Sequence, residues 1–253
     1  MPPVKIIVTD LDRSLLRDDK TISGYSMDVF EKCRQRNIKI AFATGRPNRS
    51  IVEYVKALKP DAVIYMNGAI IKTGDMILDR HTILHLTAKK ILKQIEEKLP
   101  ESTLSVEIDD TMYSNFDLGS EWDHTRIDFN DLPCRDVDKI IIGTIPVTQM
   151  KELEIFIPDD LYLIFDTGKF GFILNKKASK WEGVKKVAAH FGIDTKDIVS
   201  FGDDLTDSEM LEKCGAGVAM GNAAEEVRNR AAFVCDTNEN DGVAKWIEEN
   251  VLA

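Results

Sequence analysis

Short apolar runs alternate along this chain with stretches of helical period. "KIIVTD" leads into an amphipathic stretch from about Tyr25 to Arg36, "IKIAFATG" leads into "RSIVEYVKAL", and "AVIYMNG" follows. Toward the C-terminus "DIVSFGDD", "GAGVAMG" and "AAFVCD" read as strands again, each followed by a helical segment. The last helix puts Val243, Ile247 and Val251 on one face. Apolar strands separated by amphipathic helices predict an α/β fold, with a parallel sheet covered by helices on both sides. In that architecture ligands bind beyond the carboxyl ends of the strands.

The middle of the chain has a different rhythm. "LTAKKILKQIEEKL" is a helix with Ile91, Leu92, Ile95 and Leu99 on one side. "TLSVEIDDTMYSNF" reads as a hairpin turning near Asp109 and Asp110, "DKIIIGTIP" as a strand, "VTQMKELEIFI" as a helix, and "LYLIFDTGKFGFILN" as a second hairpin turning at "DTGK". A helix with antiparallel hairpins predicts a separate α+β insert over residues 81–177, leaving 1–80 and 178–253 as the core.

Composition narrows the partners. The 253 residues suffice for one large domain or a domain with an insert. The formal net charge is -10, and no run of Lys and Arg is long enough to suggest a nucleic-acid or membrane surface. An acidic chain that handles an anion needs a locally positive site. The N-terminus shows no signal-peptide pattern, and no apolar stretch is long enough to span a bilayer. Cys33, Cys134, Cys214 and Cys235 form no C-x-x-C and are expected to be reduced and mostly buried, as in a cytoplasmic protein.

Four polar segments fall at strand ends or helix starts: Asp10 and Asp12, Thr44 with Gly45, Lys180 in "NKKASKWEG", and Asp203, Asp204 and Asp207 in "SFGDDLTDSEML". Each has an ordinary structural reading, because carboxylates at strand ends often cap turns or helices. "SKWE" and "TDSE" both read as capping boxes, which would make Thr206 a helix start. Lys180 then sits in a first helical turn, where a cation opposes the helix dipole, and a bound anion would explain it. Asp10 and Asp12 repel each other, and a metal ion is expected to offset that. Several carboxylates converging with a lysine and a hydroxyl suit Mg²⁺ and phosphate oxygens.

With these segments in place, the chain resembles a known family. "DLDRSLL", "FATGR", "ASKWEG" and "FGDDLTDSEML", in this order, resemble the four motifs of the haloacid dehalogenase-like superfamily of phosphatases. The insert, "MNGAII" and "AMGNA" resemble its Cof-type subfamily of sugar-phosphate phosphatases. The resemblance implies a Rossmann-like core with an inserted α+β cap, and Mg²⁺-dependent hydrolysis of a small phosphorylated metabolite. Asp10 is the implied nucleophile, forming an aspartyl-phosphate, and a metal ligand. Asp12 is the implied acid and base, and gives the metal its backbone carbonyl. Leu11, Thr44, Gly45 and Lys180 are implied phosphate contacts. Asp203 completes the metal ligands, with Asp207 behind it.

The chain departs from the pattern in three places. Arg13-Ser14 stands where the family has Gly-Thr, so that Arg13 either points to solvent or crowds the entrance. Thr206 stands where an Asn contacts phosphate, and is kept as a phosphate-binding candidate. Trp181 replaces a small residue. Arg46 and Asn67 adjoin motif strand ends, Asn222 reads as a helix cap, and Trp122, His124 and Arg126 read as a solvated loop of the insert. Rival readings are a phosphoacceptor switch, a phosphometabolite-binding protein without turnover, and a phosphomutase. The sequence says nothing of oligomeric state.

Overall fold

The computed structural model describes residues 3–119, 123–143, 146–166 and 170–253. The chain forms two compact units, Met1–Asp79 with Ser179–Ala253, and Arg80–Ala178. The first part of the chain supplies β1 (Ile6–Thr9), α1 (Gly24–Gln35), β2 (Lys39–Ala43), α2 (Val52–Leu58), β3 (Ala62–Tyr65), β4 (Ile70–Thr73) and β5 (Met76–Arg80). The middle supplies α3 (His85–Lys98), β6 (Thr103–Ile108), β7 (Thr111–Ser114), β8 (Thr125–Arg126), β9 (Lys139–Gly143), α4 (Val147–Met150), β10 (Leu161–Phe165) and β11 (Gly171–Asn175). The last part supplies α5 (Lys180–Phe191), β12 (Ile198–Gly202), α6 (Ser208–Lys213), β13 (Ala216–Ala219), α7 (Glu225–Arg228), β14 (Phe233–Val234) and α8 (Gly242–Asn250).

The core sheet has the order β14-β13-β12-β1-β2-β3-β4-β5. Its strands are parallel from β14 to β3. Thr9 of β1 is level with Phe201 of β12 and Phe42 of β2, so the residues just after these three strands emerge at one edge. Alternate side chains serve opposite faces. Ile6, Val8, Ala41 and Ile198 pack with Trp181, Val184 and Val187 of α5. Phe201 points the other way and meets Trp246 of α8 edge-on, with ring centroids 5.5 Å apart.

The expectation of a parallel sheet misses its far edge. β4 runs antiparallel to β3, and β5 lies beside β4. The two are joined through Gly74, at φ +54, in a "KTGD" turn between apolar runs.

The second unit is built on a sheet of order β10-β11-β9-β6-β7-β8, antiparallel except where β7 meets β8. Ala88, Ile91, Leu92 and Ile95 of α3 pack on Leu104, Val106, Ile140, Ile142 and Ile173. The first hairpin turns at Asp109 and Asp110, both at positive φ, as a tight two-residue turn requires. The expected "DTGK" turn lies largely outside the described residues. The expected helix over "VTQMKELEIFI" is short: α4 gives way to a 3₁₀ segment, Lys151–Phe156. β-branched Ile155 and Ile157, aromatic Phe156 and the following Pro158 all disfavour a longer α-helix.

All four cysteines are free, but only Cys33 and Cys214 are buried; Cys134 is exposed. Among the described residues no helix is long and apolar enough to cross a membrane.

Candidate active site

Asp10 follows β1, Thr44 follows β2 and Asp203 follows β12, so the sheet delivers all three to one edge. Lys180 is the first residue of α5, whose N-cap Ser179 accepts from the Glu182 N–H at 3.1 Å. The Lys180 ammonium donates to Asp10 Oδ1 at 2.8 Å and to Asp207 Oδ1 at 2.6 Å. At 3% exposed it is enclosed. Its place against the helix dipole has a partner within the protein itself. The dipole term is only about 0.3–1 kcal/mol, and two carboxylates already face the ammonium. Burial works to lower the Lys180 pKa, but Asp10 and Asp207 outweigh it and push the pKa up.

Asp207 is placed by its own turn. Its Oδ2 accepts from the N–H groups of Asp203 at 3.2 Å and Asp204 at 3.0 Å. A 3₁₀ turn, Leu205–Asp207, carries a capping box formed by Asp204 and Asp207. The box expected from Thr206 and Glu209 is therefore displaced. Thr206 lends its N–H to Asp204 Oδ1 at 3.1 Å and stays half-buried.

Asp10, Asp203 and Asp207 each offer a carboxylate oxygen, all within 4.8 Å of one another. Burial raises the pKa of each, that of Asp203 to about 7. One ammonium faces three buried carboxylates, and the remaining negative charge must be met by protons or by a cation. Hard oxygen donors clustered this way suit a small divalent ion. Within the trio Asp207 already accepts three hydrogen bonds, whereas Asp10 and Asp203 are less committed.

The carboxylate of Asp12 stands apart from this trio. Arg46 donates to it through Nε at 2.5 Å and Nη2 at 2.6 Å, and Lys20 through Nζ at 2.9 Å. The repulsion between Asp10 and Asp12 is thus met by separate protein cations, not by a shared metal alone as expected. Burial acts to raise the Asp12 pKa, but the hydrogen bonds from Arg46 and Lys20 prevail and hold it below the ordinary carboxylate value.

Thr44 is fully buried. Its hydroxyl accepts from the Arg46 N–H at 3.1 Å, and its carbonyl accepts from the Asn67 N–H at 3.0 Å. A Cβ on Gly45 would lie 3.2 Å from Asn67 Oδ1, so glycine there also makes room for Asn67. The "MNG" turn after β3 carries Met66, Asn67 and Gly68 in succession at positive φ. At Gly68, with φ +103, a Cβ would lie 2.2 Å from the Ser179 carbonyl oxygen. Strain in the turn falls on Met66 and Asn67, while Gly68 meets the start of the Lys180 helix without it.

The loop after Asp10 closes through Leu11, whose carbonyl accepts from the Leu16 N–H at 2.8 Å. Ser14 donates to Asp203 Oδ1 at 3.2 Å, and Arg13 Nε lies 3.8 Å from Asp203 Oδ2. Asn222 is not a helix cap: its Nδ2 donates to the Arg13 carbonyl at 2.8 Å, while Ala224 precedes α7. Trp181 is a core residue. Lys20 and its pairing with Asp12 had no signal in the sequence. In the insert, Trp122 lies outside the described residues, His124 Nε2 accepts from the Leu118 N–H, and Arg126 is exposed on β8.

A family model described as haloacid dehalogenase-like hydrolase matches residues 7–247. The chain belongs to this family. Among curated proteins it is 28% identical to a 5-amino-6-(5-phospho-D-ribitylamino)uracil phosphatase of Bacillus subtilis, covering 96% of each chain. It is 26% identical to a pyridoxal phosphate phosphatase of Escherichia coli, covering 98% of this chain and 99% of that one. Among solved structures it is similar to a subclass IIB sugar phosphatase of the superfamily, with TM-score 0.88, 23% identity, and coverage of 97% and 98% of the two chains. A second similar structure, a phosphatase from Bacteroides thetaiotaomicron, has TM-score 0.86 and 24% identity, with 98% of this chain and 95% of that one covered. The structural likeness shows the haloacid dehalogenase-like fold, a core sheet with an inserted cap.

Proposed function

We propose that the protein is a Mg²⁺-dependent phosphatase of small phosphorylated metabolites, sugar phosphates among them, acting through an aspartyl-phosphate on Asp10. The observation that carries this reading is the buried Lys180 bridge between Asp10 and Asp207, with Asp203 beside them at the same sheet edge. Relatives that cover nearly the whole chain are phosphatases of small phosphorylated compounds, which supports the substrate class.

Asp10 and Asp203, with the Asp12 backbone carbonyl, would hold the Mg²⁺. The ion supplies charge neutralisation at the transferring phosphoryl group. A carboxylate oxygen of Asp10 attacks phosphorus, and the bond from phosphorus to the leaving oxygen breaks. Water then attacks the phosphorus of the aspartyl-phosphate, giving phosphate and freeing Asp10. Splitting the transfer this way needs a carboxylate nucleophile held in position, and Lys180 provides the hold. Its fixed charge faces the equatorial oxygens in both steps. Asp207 keeps Lys180 in place. The Thr44 hydroxyl and the N–H groups of Leu11 and Gly45 take the remaining phosphate oxygens, with Thr206 at the margin.

Asp12 moves the protons. Ionised as it is between Arg46 and Lys20, it is set up to take the proton of the attacking water. In the first step it takes a proton from solvent and passes it to the leaving oxygen, returning to the ionised form that Arg46 and Lys20 favour.

The test is phosphate release from a panel of phosphorylated sugars, pyridoxal phosphate and phosphorylated ribityl compounds, with Mg²⁺ and with excess chelator. Metal-dependent multiple turnover on a member of the panel is expected. Turnover undiminished in chelator contradicts the metal assignment, and transfer to an acceptor sugar without phosphate release would make the protein a mutase.

A further inference from the structure

Lys180 hydrogen-bonds Asp10 and Asp207, whereas the side chain of Asp203 faces Ser14 and Arg13. Asp203 is nearly enclosed, its side chain 6% exposed, while that of Arg13 is 53% exposed. A half-solvated guanidinium thus stands over a buried carboxylate at the open side of the cluster. Attraction across 3.8 Å is too long for a hydrogen bond but well within charge–charge range.

The guanidinium is held there. Arg13 has φ +56, a backbone state that side chains rarely adopt. Its carbonyl accepts from Asn222 Nδ2 at 2.8 Å, and its Nη2 donates back to the Asn222 carbonyl at 3.4 Å. Asn222 is itself fixed, since its Oδ1 accepts from the Asn238 N–H at 3.0 Å. Two contacts to one anchored residue, together with the left-handed turn, aim the Arg13 stem at the cluster.

We propose that Arg13 is a resident counter-cation of Asp203 that a divalent metal must displace, so that it weakens metal binding and makes it salt-sensitive. The inference rests on the metal reading of the Asp10–Asp203 cluster. Arg13 and a divalent ion would share the one Asp203 carboxylate, and like charges held that close repel. When the ion binds, the guanidinium leaves Asp203 while the Asn222 contacts keep it at the rim. Because the guanidinium is half-exposed, the penalty is modest: removing the charge should tighten Mg²⁺ about two- to fivefold. The gap should narrow with salt, as the screening length falls from ~10 Å at 0.1 M to ~3 Å at 1 M.

The experiment is calorimetric titration of Mg²⁺ into the chelator-stripped full-length protein without substrate, at low and high salt. Arg13→Gln removes the charge and keeps the left-handed backbone; Arg13→Gly removes the charge and the strain; Arg13→Lys keeps a charge. The expected result is a matched tightening in the Gln and Gly variants, with Lys close to the parent and the differences shrinking in salt. Tightening in Gly alone would trace to backbone relief and overturn the inference, as would any unchanged or weakened affinity in the Gln variant. A parent that binds no Mg²⁺ removes the metal reading and this inference with it; a parent that binds normally with indistinguishable variants removes only the inference.

Discussion

Arg46 closes on both carboxylate oxygens of Asp12, at 2.5 and 2.6 Å. Fork-to-fork contacts of this kind favour the ionised carboxylate, and the Asp12 pKa accordingly lies below its ordinary value, with burial opposed by Arg46 and Lys20. Arg46→Gln should therefore raise the Asp12 pKa. Ionised Asp12 serves the second step, so where hydrolysis of the aspartyl-phosphate limits turnover the acid limb of the kcat profile should move to higher pH. An acid limb that stays in place in this variant would separate Asp12 from the proton transfers.

Lys180 carries structure as well as chemistry. With it gone, Asp10 and Asp207 are buried without their shared cation, a situation that typically costs roughly 3–5 kcal/mol. Part of that is recovered where the carboxylates take up protons. Lys180→Met should lower the melting temperature more at pH 8 than at pH 5. It should also cut kcat by at least about 10², the usual effect of losing one preorganised charge contact. A variant that melts like the parent at both pH values would contradict the bridge between Asp10 and Asp207.

The cluster also predicts how metal-free stability follows pH. Burial raises the folded-state pKa of Asp203 from 3.8 to about 7, and shifts Asp10 and Asp207 in the same direction. Groups raised on folding bind more protons in the folded state than in the unfolded one. Their contribution is present below the unfolded pKa and is lost as pH rises through the folded pKa. In chelator, stability should fall from about pH 4 to pH 7 and a little beyond. Mg²⁺ should restore it most at the upper end, releasing protons as it binds below pH 7. Thermal melts across this range, with and without Mg²⁺, check the sign; a metal-free protein that gains stability over the same interval would contradict it.

Gly68 ties the turn after β3 to the helix of Lys180. A Cβ there would meet the Ser179 carbonyl oxygen at 2.2 Å, and the backbone has φ +103. Gly68→Ala should push Ser179 away, cost on the order of 1–3 kcal/mol from the backbone strain alone, and reduce kcat by moving Lys180. Unaltered kcat together with a lowered melting temperature would show that the turn supports folding without positioning the ammonium.

Much of the site was legible because apolar runs that stop at a polar residue mark strand ends. Asp10, Thr44 and Asp203 were found that way, and Lys180 by the Ser179–Glu182 helix start. What was not legible depends on loops brought together by the fold. Arg46 lies 34 residues from Asp12, and nothing local announces that its side chain returns to the first loop. The Lys20 contact stays within one loop but depends on how that loop folds back, with Lys20 at φ +66. The Asp204–Asp207 capping box displaced the expected Thr206–Glu209 box because two acceptable caps lie two residues apart, and the Asp207 carboxylate gains the Asp203 and Asp204 N–H groups as well as Lys180. β4 and β5 do leave a local mark, the Gly74 turn between two apolar runs. Arg13 departs visibly from the family pattern, but its clasp to Asn222 joins residues 209 apart and leaves no local mark.

The central claim is that Asp10 carries the phosphoryl group between the two steps. The most direct measurement is acid quenching of the protein during turnover of a ³²P-labelled substrate, followed by peptide mapping of the trapped label, for the parent and for Asp10→Asn. The account predicts label on the peptide containing Asp10 in the parent, labile to hydroxylamine as an acyl phosphate is, and none in a folded Asp10→Asn protein. Label on another residue, or parental turnover by Asp10→Asn, would contradict it.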